Sequence, residues 1–282
     1  MTAMTAPRQR IPWYIVNSVI AFFFVAPLVL SILGSFKTPA ESSASPPTWF
    51  PEVFSLENYH AIAELSGGGI WRALINSVLV ALFTVVLTVV VGVLAGAGFS
   101  RSRFRGKEVV FVVLLLAMMV PFQSILIPLF FLLNQLHLLN SLVGLGLVYT
   151  TFQIPFAAFV MRNSYEQIPV ELDDAARIDG CGPWATLWHV HLPMLRPGIA
   201  AVSIFAFLAS WNEFLAALIL MSDNANFTVP VMLTTLQSNQ YGSIDWGAFH
   251  AGVVVATVPA VAVFLIFQRY FTTGLASGSI KG

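Results

Sequence analysis

Of the 282 residues 57% are hydrophobic and only 9% charged, where soluble domains carry about 25% charged residues. Thirteen Lys+Arg balance thirteen Asp+Glu and the mean hydropathy is +0.83, which excludes a basic nucleic-acid binder and an acidic disordered tail. One cysteine, Cys181, excludes an intramolecular disulfide and a cysteine-based zinc cluster, so the composition is that of a polytopic membrane protein.

A helix rising ~1.5 Å per residue needs roughly 20 apolar residues to cross a ~30 Å hydrocarbon core. The first such run, from Ile11 to Phe36, is longer than the apolar core of a secretory leader and reads as an uncleaved first span, residues 12–36, after a cytoplasmic tail of residues 1–11. A stretch rich in Pro and Ser follows, residues 37–71, and reads as an extracytoplasmic tether or partner-contacting loop. The second span runs from Ala73 to Ser100, with Gly92 and Gly96 spaced for close helix packing. The uncharged run from Val109 to Met161 is long enough for two crossings, which turn at Asn134, Gln135, His137 and Asn140. Pro121 and Pro128 are expected to kink the first of these. A fifth span runs from about Gly198 to Met221 and a sixth from about Gly247 to Gln268, with residues 273–282 as a tail.

Counting cations orients the six helices. With a cytoplasmic N-terminus, eleven Lys and Arg fall inside and only Lys37 and Arg72 outside, a strong positive-inside split that puts both termini in the cytoplasm. Arg101, Arg103, Arg105 and Lys107 then anchor a tight turn near anionic headgroups. His189 and His191, two residues apart, point to different faces of a helix and are poor metal ligands; no metal site is expected.

The one long cytoplasmic connection, residues 163–197, contains a short acidic helix from about Pro169 to Ile178. Pro169 suits its first turn, and Glu171, Asp173 and Asp174 favour its positive end. Gly180 is placed as a C-terminal cap. Pro183 starts a second, amphipathic helix carrying Trp184, Leu187, Trp188 and Val190, ending before Pro193. The residues fit both a plain interfacial connector and a docking element whose small alanines admit a close partner.

Asp174-Ala175-Ala176, three residues, Gly180, nine residues, Val190, one residue, Leu192-Pro193 resembles the EAA loop of binding-protein-dependent ABC importer permeases, with Asp for Glu at 174 and Val for Ile at 190. Ser55-Leu56-Glu57-Asn58-Tyr59, Asn76-Ser77 and Trp211-Asn212-Glu213-Phe214 are similar to segments of the carbohydrate-uptake branch, the maltose and glycerol-3-phosphate permease type. The resemblance implies a type I ABC importer permease fold, all-α with six spans, whose transmembrane core occupies residues 72–272, in a bacterial inner membrane. It implies pairing with a second homologous permease subunit as a heterodimer. Two ABC ATPase subunits would carry ATP and Mg, and an extracytoplasmic solute-binding protein would deliver a sugar or sugar derivative. The helix at 169–180 would then be the ATPase-coupling element, with Glu171, Asp174, Ala175, Ala176, Gly180, Val190, Leu192 and Pro193 as its motif. Lacking a GxxxxGK[ST] loop, the chain is not itself expected to be an enzyme.

Polar residues deep in the spans are the candidates for the sugar path. Gln123 lies about 15 residues into the third helix, ~22 Å deep, and Trp211, Asn212 and Glu213 lie at a similar depth in the fifth. A charge there costs roughly 2.5–3.5 kcal/mol and must face protein or a water-filled cavity; bonding between helices accounts for the same residues. Gln240, Tyr241, Gly242 and Ser243 form a candidate contact with the binding protein. Amino-acid or peptide permeases of the same type share the EAA loop and are the nearest rival. An ion-coupled secondary transporter is a further one, disfavoured because Glu213 is the single buried charge and no inverted repeat is seen. A membrane-embedded enzyme would need clustered histidines, and the five here are scattered.

Overall fold

The computed structural model describes residues 7–65, 68–237 and 244–278, with side chains described between Trp13 and Gln268. Helices dominate throughout: α1 (Pro7–Ser35), α2 (Gly69–Arg101), α3 (Lys107–Leu116), α4 (Leu126–Gln135), α5 (Leu142–Glu166), α6 (Glu171–Ile178), α7 (Leu192–Asn212), α8 (Leu215–Leu220), α9 (Val229–Gln237) and α10 (Trp246–Gly278). Among the described residues five helical stretches are long and apolar enough to span a bilayer, and a bent pair, α3 and α4 with their flanking turns, meets the same measure when taken together. The chain divides into two compact units, residues 1–70 with 232–258, and residues 71–231 with 259–282.

In the first unit, α1 is exposed along its apolar length. Its outer end is clasped by the short helix Glu57–Ala63. Asn58, fully buried, donates from Nδ2 to the carbonyls of Ser35 (3.0 Å) and Lys37 (2.6 Å), and the Tyr59 and Ser35 hydroxyls share a 2.9 Å hydrogen bond. These are carbonyls that a helix end leaves unsatisfied, so an amide donor is what the position needs. Gly247 of α10 lies against the Asn58 amide, 2.7 Å from where a Cβ would stand, and Gly34 faces the His250 ring.

In the second unit α5 is the central element, packed on α2 and α7. Gly92 and Gly96 bring α2 onto it: a Cβ at Gly92 would stand 2.8 Å from Ala157 Cβ, and one at Gly96 2.6 Å from Met161 Cβ. The outer ends are tied by polar side chains. Asn76 donates to the carbonyls of Ala225 (2.9 Å) and Phe227 (3.0 Å), and Ser77 Oγ accepts from Val229 N (2.8 Å). Asn140, at φ 54°, accepts on Oδ1 from the amides of Ser222 and Asp223. Segments assigned to the outside by charge counting thus gather at one end. Those assigned to the inside gather at the other, where Arg162 forms a two-pronged pair with Glu108 (2.8 and 2.9 Å).

Two expected spans and the amphipathic loop helix differ in detail. Pro121 does not kink the third helix but breaks it: Val120 and Pro121 are extended, as the residue before a proline tends to be, and the two halves meet at 94°. Pro128, by contrast, falls in the first turn of α4, where no N–H is required, and bends nothing. The fifth helix does not run on to Met221; it stops at Asn212 and restarts as α8, because Glu213 is extended (ψ 129°). Nor does the amphipathic helix after Pro183 end before Pro193. It passes through a π-helical turn, Leu187–His191, straight into α7, giving one continuous rod from Pro183 to Asn212. The Leu192 amide bonds the Leu187 carbonyl, and this wider turn seats Pro193 at the start of α7 without a missing bond.

Candidate functional site

At the cytoplasmic end α6 is an acidic two-turn helix, beginning at Glu171 rather than Pro169 and closed by Gly180 at φ +80°, a conformation that favours glycine. Asp173 fixes it to its surroundings. Its Oδ2 lies 3.0 Å from Arg101 Nε at the end of α2, and its Oδ1 2.5 Å from His191 Nε2 in the π turn before α7. The same arginine donates from Nη2 to the Ile168 carbonyl (2.6 Å), just beyond α5. Tyr165 of α5 packs edge-on against His191 with ring centroids 5.2 Å apart. One carboxylate only 14% exposed therefore joins α6 to the ends of two membrane helices, and its partners Arg101 and His191 extend the link to α5. Arg101, expected to anchor a turn near anionic headgroups, has the Asp173 carboxylate and the Ile168 carbonyl as its partners.

The motif residues divide between two faces. Ala176 is turned inward and buried, whereas Ala175, Glu171 and Asp174 are exposed, Asp174 pairing with Arg177 at 3.1 Å. Ile178 is 87% exposed, an apolar side chain offered to solvent at the tip of α6. Val190 and Leu192 are half-buried, Leu192 in the core around Tyr165 and Leu195, and Pro193 is exposed. Beneath α6 a cavity of about 440 Å³ is lined by Arg101, Asp173, Cys181, Trp184 and His191. Asp173, Arg101, His191 and Tyr165 work as a group that no sequence spacing marks, since they lie on four segments.

The second region surrounds the break at Glu213. Its carboxylate accepts from the Tyr149 hydroxyl (2.6 Å) and from the amides of Ala216 (3.0 and 3.1 Å) and Ala217 (3.2 Å). It therefore caps α8, where negative charge is favoured by the orphan amides and the helix dipole. Glu213, Tyr149, Gln153, Ser210, Phe122 and Phe152 line a cavity of about 200 Å³. Of the residues expected here, only Glu213 lines it. Trp211 is buried, stacked on Phe207 (5.5 Å, 15°) beside Ala81. Asn212 is exposed and donates to the Leu208 carbonyl, and Gln123 is exposed in the turn between α3 and α4. Tyr149 and Gln153 were missed; four residues apart on one helical face, they carried a spacing signal but no charge. Gln240, Tyr241, Gly242 and Ser243 lie outside the described residues. Among the described residues no three His, Cys, Asp or Glu side chains are grouped to hold a metal ion.

An all-helical chain with five long apolar helices and a bent pair, its cations gathered at the end that carries an exposed acidic helix, is a multi-pass membrane transport component. Residues 88–277 match the family of binding-protein-dependent transport system inner membrane components, and the chain belongs to that family. It is similar to the diacetylchitobiose uptake system permease protein NgcG of Streptomyces coelicolor, 33% identical over 91% of this chain and 84% of that protein. It is likewise similar to the arabinooligosaccharides transport system permease protein AraQ of Halalkalibacterium halodurans, 35% identical over 93% of each. Among solved structures it resembles a chain of a bacterial ABC transporter involved in the import of alginate, with a TM-score of 0.80 and 22% identity over 96% of this chain and all of that one. That likeness is one of fold. The protein is a multi-pass permease of the inner membrane and not an enzyme.

Proposed function

We propose that this chain is one permease subunit of an ATP-driven importer that carries a sugar or sugar derivative handed over by an extracytoplasmic binding protein. Its partners are a second, homologous permease and two ATPase subunits, which hold the ATP and Mg. The relatives that it resembles over nine-tenths of its length are named for diacetylchitobiose and arabinooligosaccharides, which favours a saccharide over an amino acid or peptide. The segment 169–180 is the coupling element: its outer face, Glu171, Asp174, Ala175 and Ile178, enters a cleft of the ATPase. Its inner face passes the movement on through Asp173.

The observation that carries this reading is the pairing of a solvent-facing apolar tip, Ile178, with a buried ionic clasp to two membrane helices. A rigid element with two positions needs such a grip at one side and a docking face at the other. Glu213, with Tyr149 and Gln153, offers hydroxyl-binding groups on the sugar path.

The test is the assembled transporter carrying Ala175→Arg or Ile178→Asp, both on the exposed face and clear of the chain's own packing. Permease pairing persists while ATPase co-purification and sugar uptake fall at least tenfold. Normal ATPase recovery with normal uptake per ATP consumed overturns the assignment. Loss of uptake for an amino acid, with no sugar transported by the unaltered complex, overturns the substrate class alone.

A further inference from the structure

The outer end of α1 holds a cavity that the transport reading leaves unused. It encloses about 440 Å³ within the first unit. Leu30 and Gly34 of α1 and Trp246 and His250 of α10 line one side of it, where His250 Nδ1 is buried without a hydrogen-bond partner. Lys37, Ser42 and Thr48 line it as well. Lys37 is only 8% exposed, and its ammonium donates to one acceptor, the Thr48 carbonyl. Among the described residues no carboxylate lies within ion-pairing distance of it. Glu41, which also lines the cavity, is committed elsewhere: its Oε1 accepts from Thr48 Oγ1 (2.7 Å) and from Glu52 N (3.1 Å). The Ser42 hydroxyl is closed off from solvent and has no partner. A buried ammonium with donors to spare, beside an orphaned hydroxyl, is costly unless an anion completes it.

The surroundings name the source of that anion. The loop after the cavity exposes Trp49, Phe50, Val53 and Phe54, each more than 60%. Ser55 N donates to the Phe36 carbonyl (2.8 Å), and the rings of Phe54 and Phe36 stand 6.0 Å apart, so this loop is held at the level where α1 leaves the apolar layer. Tryptophan and phenylalanine beside a lysine at that depth are the groups that the headgroup region of a bilayer favours. The cavity sets the buried ammonium of Lys37 beside the partly exposed apolar side chains of Leu30 and Trp246, a pairing that suits an anionic headgroup and its acyl chain.

We propose that this cavity is a phospholipid site of the outer leaflet, in which the phosphodiester of an anionic glycerophospholipid is held by Lys37 and Ser42 and its upper acyl chain lies against Leu30 and Trp246. The site ties the otherwise exposed α1 and the extracytoplasmic loop to a lipid.

The experiment places the assembled transporter in phosphatidylcholine nanodiscs and titrates in phosphatidylglycerol with brominated acyl chains, reading the quenching that disappears in Trp246→Phe. Brominated phosphatidylcholine is the control. The unaltered complex is quenched by the anionic lipid at about tenfold lower mole fraction than by the control, the worth of one charge-assisted contact. Lys37→Gln abolishes the preference and Lys37→Arg keeps it. Leu30→Phe, which fills the apolar side without touching the lysine, reduces it. Equal quenching by both lipids, or a preference that survives Lys37→Gln or Leu30→Phe, overturns the site. Displacement of the brominated lipid by soluble inorganic phosphate or oligosaccharide overturns the lipid assignment in favour of a soluble ligand.

Discussion

Asp173 is the residue on which most structure converges, because it is the shared acceptor for Arg101 and His191 in a region with little water. Removing it strands two donors, which costs more than the pair itself contributes. Asp173→Ala is expected to destabilise the protein by about 1–3 kcal/mol, read as a lower unfolding midpoint of the assembled complex. Adding Arg101→Ala should cost little more, since the two share one interaction; fully additive effects would show the clasp to be energetically idle. Glu213 calls for a different substitution. Its carboxylate caps α8 and holds Tyr149, so Glu213→Leu leaves the Ala216 and Ala217 amides unpaired and should reduce uptake well below the level of Glu213→Gln, which keeps an acceptor oxygen. Equal uptake by the two variants would remove the capping argument.

At the level of elements, the two faces of one helix give opposite expectations. Gly96 on α2 faces Met161 at contact distance, whereas a Cβ at Gly98 would meet nothing within 4 Å. Gly96→Val should therefore destabilise by about 1–3 kcal/mol through overpacking. Gly98→Ala should be neutral or stabilising by up to about 1 kcal/mol, since the helix no longer orders a glycine. Thermal unfolding of the two complexes checks the pair, and a destabilising Gly98→Ala would contradict the geometry. Glycine spacing along the sequence marked Gly92 and Gly96 as packing positions, and they are. What the spacing did not reveal is the fate of the prolines. Pro121 breaks a span and Pro128 does nothing, because the outcome depends on whether an N–H was needed there. The π turn at Leu187–His191 was equally hidden; it is a matter of backbone register, which residue types do not encode.

Within the second unit the charge count and the contacts agree on which segments share an end. In cells lacking the ATPase subunits, which would otherwise cover the site, Ile178→Cys should be labelled by a membrane-impermeant maleimide only after the cells are opened, and Phe54→Cys on intact cells, both with Cys181→Ser as background. Labelling of Ile178→Cys from outside would invert the topology. The apolar spans were legible beforehand, because a hydrocarbon layer permits few solutions to a run of apolar residues; the orientation that puts the acidic helix inside rests on the cation count. The family-like segments were legible as signatures but not as structure. Asn58, Asn76 and Ser77 turn out to satisfy carbonyls and amides at helix ends.

Hydropathy and cation placement, read from the amino-acid order, determined that this chain is a polytopic membrane protein and put its acidic helix inside, each depending on one residue meeting lipid or water; the permease reading came from the EAA-like segment. Tertiary structure decided which polar groups meet: that Asp173 joins Arg101 and His191, that Glu213 meets Tyr149 and caps a broken helix, and that Ala176 faces inward while Ala175 does not. These pairings lie between residues 18 to 72 positions apart, where only the packing of helices sets the distance.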